Sequence, residues 1–475
     1  MTVWETVIGL EVHVQLATRS KLFCGCSSAF GDEPNRNICP VCLGLPGALP
    51  VPNSAAVRLG ARAALALGCT VHPVSVFARK NYFYPDLPKG YQISQFDRPL
   101  ATGGEVRCVS PDRGVVTIGV TRLHLEEDAG KLLHDRIPGH TAIDLNRAGV
   151  PLAEIVSEPD LRSPAEARAY LTILKQVLTY AGVSDCSMEK GSLRVDANIS
   201  LRRPGDPRLG TRTELKNMNS FASVERALEI ERNRQGAVLD EGGRVEQVTL
   251  LFNPDSGTVR TMRSKEESHD YRYCPDPDLP PVVVSIDWIE ATRAELPELP
   301  ETKQARLASS YGLSAYDTGV LAAERTVADY FESVVAAGAD PKAAANWVMG
   351  ESMPGYHDAG QFVVSADRLA ALIDLIKDGT VSHQAAKRVF GELGAGPEAP
   401  RAVAERLGVR QVRDDGQLRI WVEQVITDQP TEVERYRAGE LKLLGFLVGQ
   451  VMKKSRGKAD PNAVSELLLT TIEGS

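Results

Sequence analysis

The chain has 475 residues, 43% of them hydrophobic and 24% charged, with 54 Lys and Arg against 62 Asp and Glu for a formal net charge of −8. That length predicts two or three domains, and no apolar run reaches the ~18–20 residues that a membrane-spanning helix needs. The acidic balance argues against a general nucleic-acid binder. The opening MTVWETVIGLEV lacks the basic start and small-residue cleavage site of a signal peptide, which predicts a cytoplasmic protein with reduced cysteines.

The first element is written GLEVHVQL. Leu10, Val12, Val14 and Leu16 alternate with Glu11, His13 and Gln15, the period of a strand with one buried face, and predict a strand over residues 6–16. Similar alternation, broken by Gly, Pro, Asn and Asp, predicts strands over 115–125, 142–146, 195–201 and 211–216. Helices are predicted over 53–68, 163–182 and 220–236. In the second, Ser163 is the N-cap, Pro164 the first helical residue and Glu166 the closing member of a capping box. Beyond the proline-spaced LPELP at 296–300 the strand signal disappears. Residues 301–311, 314–323, 325–338 and 341–349 read as helices, with others following and a break at GAGPEAP, 394–400. The layout is α+β: a large domain over 1–295, a helical domain over 296–400 and a small helical tail over 401–475.

Cys24-Gly-Cys26 and Cys39-Pro-Val-Cys42 are separated by twelve residues. Two such pairs on tight turns can converge as four thiolates on one structural Zn²⁺, and the spacing favours that over unliganded cysteines. Five strand-like pieces each carry acids or other polar groups on one face: GLEVHVQL, RLHLEED with Glu126 and Glu127, PLAEIV with Glu154, SLRVDANIS with Arg194 and Asp196, and TELKN with Glu214 and Lys216. Converging on one sheet face, they would offer oxygen ligands to Mg²⁺ or Mn²⁺. An ordinary solvated sheet face fits the same residues, and alternation leaves the choice open. Lys80 and Lys89 flank the aromatic stretch RKNYFYPDLPKGYQISQ as point charges for phosphate, or as members of a surface hairpin. No G-x-x-x-x-G-K-[ST], G-x-G-x-x-G after a strand, or G-x-S-x-G is present, which argues against P-loop, dinucleotide-binding and nucleophile-elbow chemistry. Near the end, MKKSRGK gathers Lys453, Lys454, Arg456 and Lys458; by itself it reads as a solvated helix end.

Taken together, IGLEVHVQL, RKNYFYPDLPKGYQISQ, TRLHLEEDAGK, DLNRAGVPLAEIVSEPD, GSLRVDANISLR, TELKNMNSF, DYRYCPDPDLPP and GFLVGQVMK closely resemble the B-subunit family of the bacterial aspartyl/glutamyl-tRNA amidotransferases, in the same order from about residue 3 to the C-terminus. The CGC…CPVC site, a knuckle inserted at 24–42, is similar to that of the family's zinc-bearing branch. The resemblance implies a cradle like the glutamine synthetase catalytic fold, built on a curved antiparallel sheet, then a helical domain and a YqeY-like tail. It implies ATP-dependent phosphorylation of the side-chain carboxylate of Glu-tRNA(Gln) or Asp-tRNA(Asn), followed by amidation with ammonia from glutamine. The implied partners are an amidase-like glutaminase A subunit and a small C subunit in a heterotrimer, the misacylated tRNA, and the misacylating aminoacyl-tRNA synthetase as a further associate.

Carried onto this chain, the resemblance makes Glu11, His13, Glu126, Glu127, Glu154, Asp196 and Glu214 the ligands of Mg²⁺ or their close neighbours, with His13 suiting Mn²⁺ at least as well. Glu11, His13, Glu126, Glu127, Lys80 and Lys89 become catalytic, Arg194 and Lys216 neighbours of the ATP phosphates, Cys24, Cys26, Cys39 and Cys42 zinc ligands, and Lys453, Lys454, Arg456 and Lys458 contacts to the tRNA backbone. Gln15 is left as a rim residue. Two rival readings are a stand-alone ATP-dependent carboxylate–amine ligase and a non-catalytic tRNA-binding subunit.

Overall fold

The computed structural model describes residues 4–264, 271–410, 415–455 and 458–473. The chain divides into two compact units, Met1–Pro300 and Glu301–Ser475. The first is organised by a ten-stranded sheet. Its main members are β1 (Glu5–Gln15), β2 (Gly114–Glu127), β3 (Pro151–Ser157), β4 (Leu193–Arg202), β5 (Thr213–Met218), β6 (Val248–Asn253) and β7 (Thr258–Ser264). The spatial order is β7-β6-β5-β4-β1-β3-β2, continued by the two-residue strands Ala101–Thr102 and Thr70–Val71, while Glu105–Ser110 pairs with the first half of β2.

The sheet is mixed rather than wholly antiparallel, which corrects the expected architecture. β5 and β6 run parallel because the chain between them forms the helix Phe221–Asp240. A helical crossover carries the chain back to the end where the previous strand began, so the next strand points the same way. The other paired strands of this sheet are antiparallel. The strand expected over 142–146 forms instead at His140–Asp144 and pairs with Lys131–Ile137 in a separate two-stranded hairpin.

One face of the sheet is closed by three helices. α1 (Ser54–Ala66) is capped by Asn53, α2 (Pro164–Tyr180) by Ser163 and α3 (Phe221–Asp240) by Ser220. Ile8, Leu10, Val12 and Val14 of β1 are almost wholly buried in the same apolar cluster as Leu171 and Leu174 of α2 and Leu228 of α3. The capping box expected at α2 is only half made. Ser163 accepts from the Glu166 amide at 3.2 Å, but the Glu166 carboxylate accepts instead from Arg162 N, Ser110 Oγ and both arms of Arg113. The Arg113 fork, with its charge-assisted bonds, and the Arg162 amide thus engage both carboxylate oxygens.

A small three-stranded sheet stands apart from the large one: Ala78–Asn81 between Tyr91–Ser94 and Cys274–Pro275. It carries Lys80 and Gln92. The second unit is helical throughout its assigned elements, from Pro300–Tyr311 to Pro461–Glu473, with one π-helical turn at Val348–Ser352. It holds two separate apolar clusters. One includes Leu307, Phe331, Trp347, Leu369, Val389 and Val403. The other is centred on Leu418, Val422, Leu447, Val451, Val464 and Leu468. Among the described residues no helix is long and apolar enough to cross a membrane.

Candidate metal and phosphate site

Strand register explains why the outer face of β1 is polar. His13 lies opposite Glu154 on β3 and Arg194 on β4, and Glu154 lies opposite His124 on β2. Residues directly opposite in a ladder share a face, so one row across four strands reads Arg194, His13, Glu154, His124. Two residues along β2 from His124, Glu126 joins the same face. His13 Nε2 is 3.3 Å from Glu154 Oε2 and 3.6 Å from Glu126 Oε1. His124 Nε2 reaches the same two carboxylates at 3.5 and 3.7 Å, and Ser94 Oγ donates to Glu126 Oε2 at 3.1 Å. One ligating atom each from His13, Glu126 and Glu154 lies within 4.8 Å of the others. His13 and Glu126 line a pocket of about 230 Å³ together with Lys80, Tyr82, Arg194 and Asp196, and Glu154 is buried beside them.

Charge binds this group together. Burial opposes ionisation of Glu126 and Glu154, yet the two imidazoles and Lys80 hold both carboxyls below the usual range. Burial likewise opposes a proton on His13, but the hydrogen bond to Glu154 and the charge of Glu126 win, and its pKa rises to about 9. Lys80 is raised against its own desolvation by Glu126 and Glu154, and its Nζ lies 4.8 Å from the centre of the Tyr271 ring. Two buried carboxylates thus converge on a point where they need positive charge, in an oxygen-plus-imidazole set that Mn²⁺ or Mg²⁺ can occupy.

The expected ligand set divides in two. Glu11, Asp196 and Glu214 lie outside the tight group. Lys216 pairs with Asp196 and, at 2.9 Å, with Glu214, while Glu11 accepts from Asn198 Nδ2 at 3.2 Å. Burial, then the nearby Glu154 and Asp196, raises the Glu11 carboxyl. Glu127 departs from the expectation further. Alternation turns it to the opposite side of β2 from Glu126, where it pairs with Lys89 and accepts from Ile93 N at 2.9 Å. Lys89 is therefore directed at Glu127, away from the His13 pocket, and Lys80 is the lysine that lines it.

Three residues without an assigned role enter the site. His124 and Asp128 share the face of Glu126 by simple alternation within RLHLEED, which was the available signal. Asp128 accepts from Arg194 Nη2 at 2.8 Å and from Gln15 Nε2 at 3.0 Å, with Arg147 at 3.6 Å. Gln15 is thus no idle rim residue: with Arg194 it fixes Asp128. Arg194 in turn is held by Asp128 at the pocket wall.

The four cysteines of the knuckle also converge. Cys24, Cys26, Cys39 and Cys42 are free thiols with their sulfurs all within 4.8 Å of one another. Cys39 and Cys42 Sγ are 3.9 Å apart, close to the ~3.8 Å edge of a tetrahedron with 2.3 Å Zn–S bonds. The Cys24 thiol first, then the Cys39 amide and Lys21, draws the Cys42 pKa down to about 4 against its burial. The donor chemistry fits zinc. At the other end of the chain, Lys453 and Lys454 close the helix Leu443–Lys454 and Lys458 follows, all three exposed, with Lys454 paired to Asp428. Arg456 lies outside the described residues.

Fold and site define a protein that gathers carboxylates, imidazoles and cations on the polar face of a mixed sheet, with a cysteine knuckle in the same unit. A family model described as the GatB/GatE catalytic domain matches residues 6–290, and one described as the GatB domain matches residues 329–472. The chain belongs to the GatB/GatE family. It is 52% identical to the B subunit of the aspartyl/glutamyl-tRNA(Asn/Gln) amidotransferase of Geobacter sulfurreducens, over 99% of this chain and 100% of that one. It is also 52% identical to the proteins of the same name from Moorella thermoacetica, over 98% and 99% of the two chains, and from Alkalilimnicola ehrlichii, over 99% of each.

Proposed function

We propose that this chain is the B subunit of a tRNA-dependent amidotransferase, phosphorylating the side-chain carboxylate of Glu-tRNA(Gln) or Asp-tRNA(Asn) with ATP. In this reading a carboxylate oxygen takes the γ-phosphoryl group and ADP leaves. Ammonia then attacks the carbonyl carbon, phosphate leaves, and the amide remains. The observation that supports the chemistry most is the convergence of Glu126 and Glu154, both buried, on His13, with His13 and Glu126 lining a pocket beside Lys80 and Arg194.

Bringing a carboxylate to a triphosphate sets anion against anion. A divalent ion held by His13, Glu126 and Glu154 would neutralise that repulsion and align attack. The chain's own residues do the rest. Lys80 and Arg194 supply fixed positive charge toward the phosphates. Asp128 and Gln15 hold Arg194 in place, and Lys216 keeps Asp196 and Glu214 together at the edge of the pocket.

The same reading extends to the rest of the chain. The unit of the large sheet is a catalytic cradle of the glutamine synthetase type carrying a structural zinc at the four cysteines, followed by a helical domain and a YqeY-like tail. Lys453, Lys454, Arg456 and Lys458 meet the tRNA backbone as phosphate contacts. An amidase-like glutaminase subunit and a small C subunit complete a cytoplasmic heterotrimer. The test is a glutamine- and ATP-dependent assay on misacylated tRNA with the purified complex. Amide formation that requires all three subunits and tRNA, and that Glu126→Ala abolishes, is the expected result. Full turnover of a small carboxylate by this chain alone, or full activity of the variant, overturns it.

A further inference from the structure

Lys21 is 0% exposed, a position lysine rarely takes without a charged partner. Its Nζ donates to the Asn37 carbonyl at 2.6 Å and to the Leu145 carbonyl at 3.3 Å, and lies 3.7 Å from Cys42 Sγ. Two carbonyls supply dipoles but no charge. No carboxylate among the described residues forms an ion pair with it. An ammonium withdrawn from water needs a negative partner in good geometry. Glu127, which lines the same cavity, is paired with Lys89, so among the described residues the cysteine cluster is the group in contact with this ammonium that can become strongly negative, since four thiolates around a divalent ion sum to a net charge of −2.

We propose that Lys21 is the buried counter-charge of the four-cysteine centre, setting its metal affinity and shielding its thiolates. The backbone around Lys21 is pinned without the ammonium: Lys21 N donates to Cys26 O at 3.0 Å and Leu22 N to Gly149 O at 2.8 Å. Residues 21 and 22 thus keep their place without the ammonium, which in addition ties down the Asn37 and Leu145 carbonyls. Residues that hydrogen-bond to or neutralise metal ligands typically change metal affinity by 10–100-fold when removed. A zinc centre that keeps its counter-charge also presents less nucleophilic sulfur to electrophiles.

The inference rests on the zinc reading of the cysteines, and the zinc content of the unsubstituted full-length chain tests that reading separately. A chain with no zinc overturns both. With zinc present, Lys21→Met, which keeps the apolar stem and removes only the ammonium, should lower zinc affinity about 10–100-fold against a competing chelator. It should also quicken thiol alkylation by iodoacetamide, while Co²⁺ still gives the charge-transfer absorption of thiolate ligation. Lys21→Gln, which carries neutral N–H donors on a side chain one bond shorter, should show the same loss. In a Cys42→Ser background, Lys21→Met should add far less. Unchanged affinity in Lys21→Met, affinity restored in Lys21→Gln, or an equal fold-loss with and without Cys42 overturns the counter-charge role and leaves the zinc reading standing.

Discussion

The cysteine knuckle and the His13–Glu126–Glu154 group are two ligating centres of one unit, assembled by opposite routes. The knuckle draws its four sulfurs from a single loop between β1 and α1, backs them with a buried lysine, and offers no oxygen. The carboxylate group draws one residue from each of three strands, adds a second imidazole from His124, and opens into a pocket lined by cations. A closed set of soft ligands suits a structural ion. An open set of carboxylates and imidazoles beside Lys80 and Arg194 suits an ion that shares its coordination with a phosphate. Under the proposed function, stability belongs to the first centre and chemistry to the second.

A crossed substitution tests that division most directly. Glu126→Gln keeps the shape of the side chain and removes its charge, and should cut amide formation on the order of 10²–10³-fold, the range seen when a group stabilising transition-state charge is lost. Its zinc content should not change. The Cys39→Ser/Cys42→Ser chain should do the reverse, losing about one equivalent of zinc and melting earlier while retaining phosphorylation within a few-fold at a temperature where it stays folded. Equal losses of activity in both variants would erase the distinction between the centres.

The pH dependence of metal binding separates them next. With its pKa raised to about 9, His13 carries a proton at neutral pH in the metal-free chain. An entering ion must displace that proton. Apparent Mn²⁺ affinity should therefore rise with pH, by roughly tenfold per unit for one proton released, between pH 7 and 8.5, and level off above about 9. A titration of Mn²⁺ binding followed by electron paramagnetic resonance gives the slope. A flat profile removes His13 from the ligand set, whereas His13→Gln should flatten it.

How legible each centre was follows from the same contrast. The cysteine spacing is local, so CGC…CPVC could be read from sequence alone as a converging set. The carboxylate group depends on which residues of distant strands face each other, and alternation supplies a face without supplying a register. That is why Glu11, Asp196 and Glu214 could not be told apart from Glu154 beforehand. The pairing of His13 with Glu154 and of Glu11 with Asp196 decides it. Glu126 and Glu127 show the limit more sharply. Adjacent on a strand, they must point to opposite sides, but only the placement of Lys89 and Ile93 shows which side each takes. The parallel β5–β6 pair was hidden for a related reason. The helix between them was visible, but the sheet position of the returning strand was not.

Gln15 gives the finest distinction. Its amide makes one hydrogen bond to Asp128, which also holds Arg194 and lies 3.6 Å from Arg147. Gln15→Ala leaves the His13, Glu126 and Glu154 ligands untouched, so Mn²⁺ affinity should stay within twofold. A single such bond is worth roughly 0.5–1.5 kcal/mol, and its loss frees Asp128 and loosens Arg194. KM for ATP should rise a few-fold with kcat nearly unchanged, because phosphate placement depends on Arg194 while the ligand set does not depend on Gln15. Gln15→Glu should be worse than Gln15→Ala, since it sets a second carboxylate against Asp128. A drop in metal affinity as large as that of Glu126→Gln would instead place Gln15 inside the ligand group and redraw the boundary between ion and phosphate on this face.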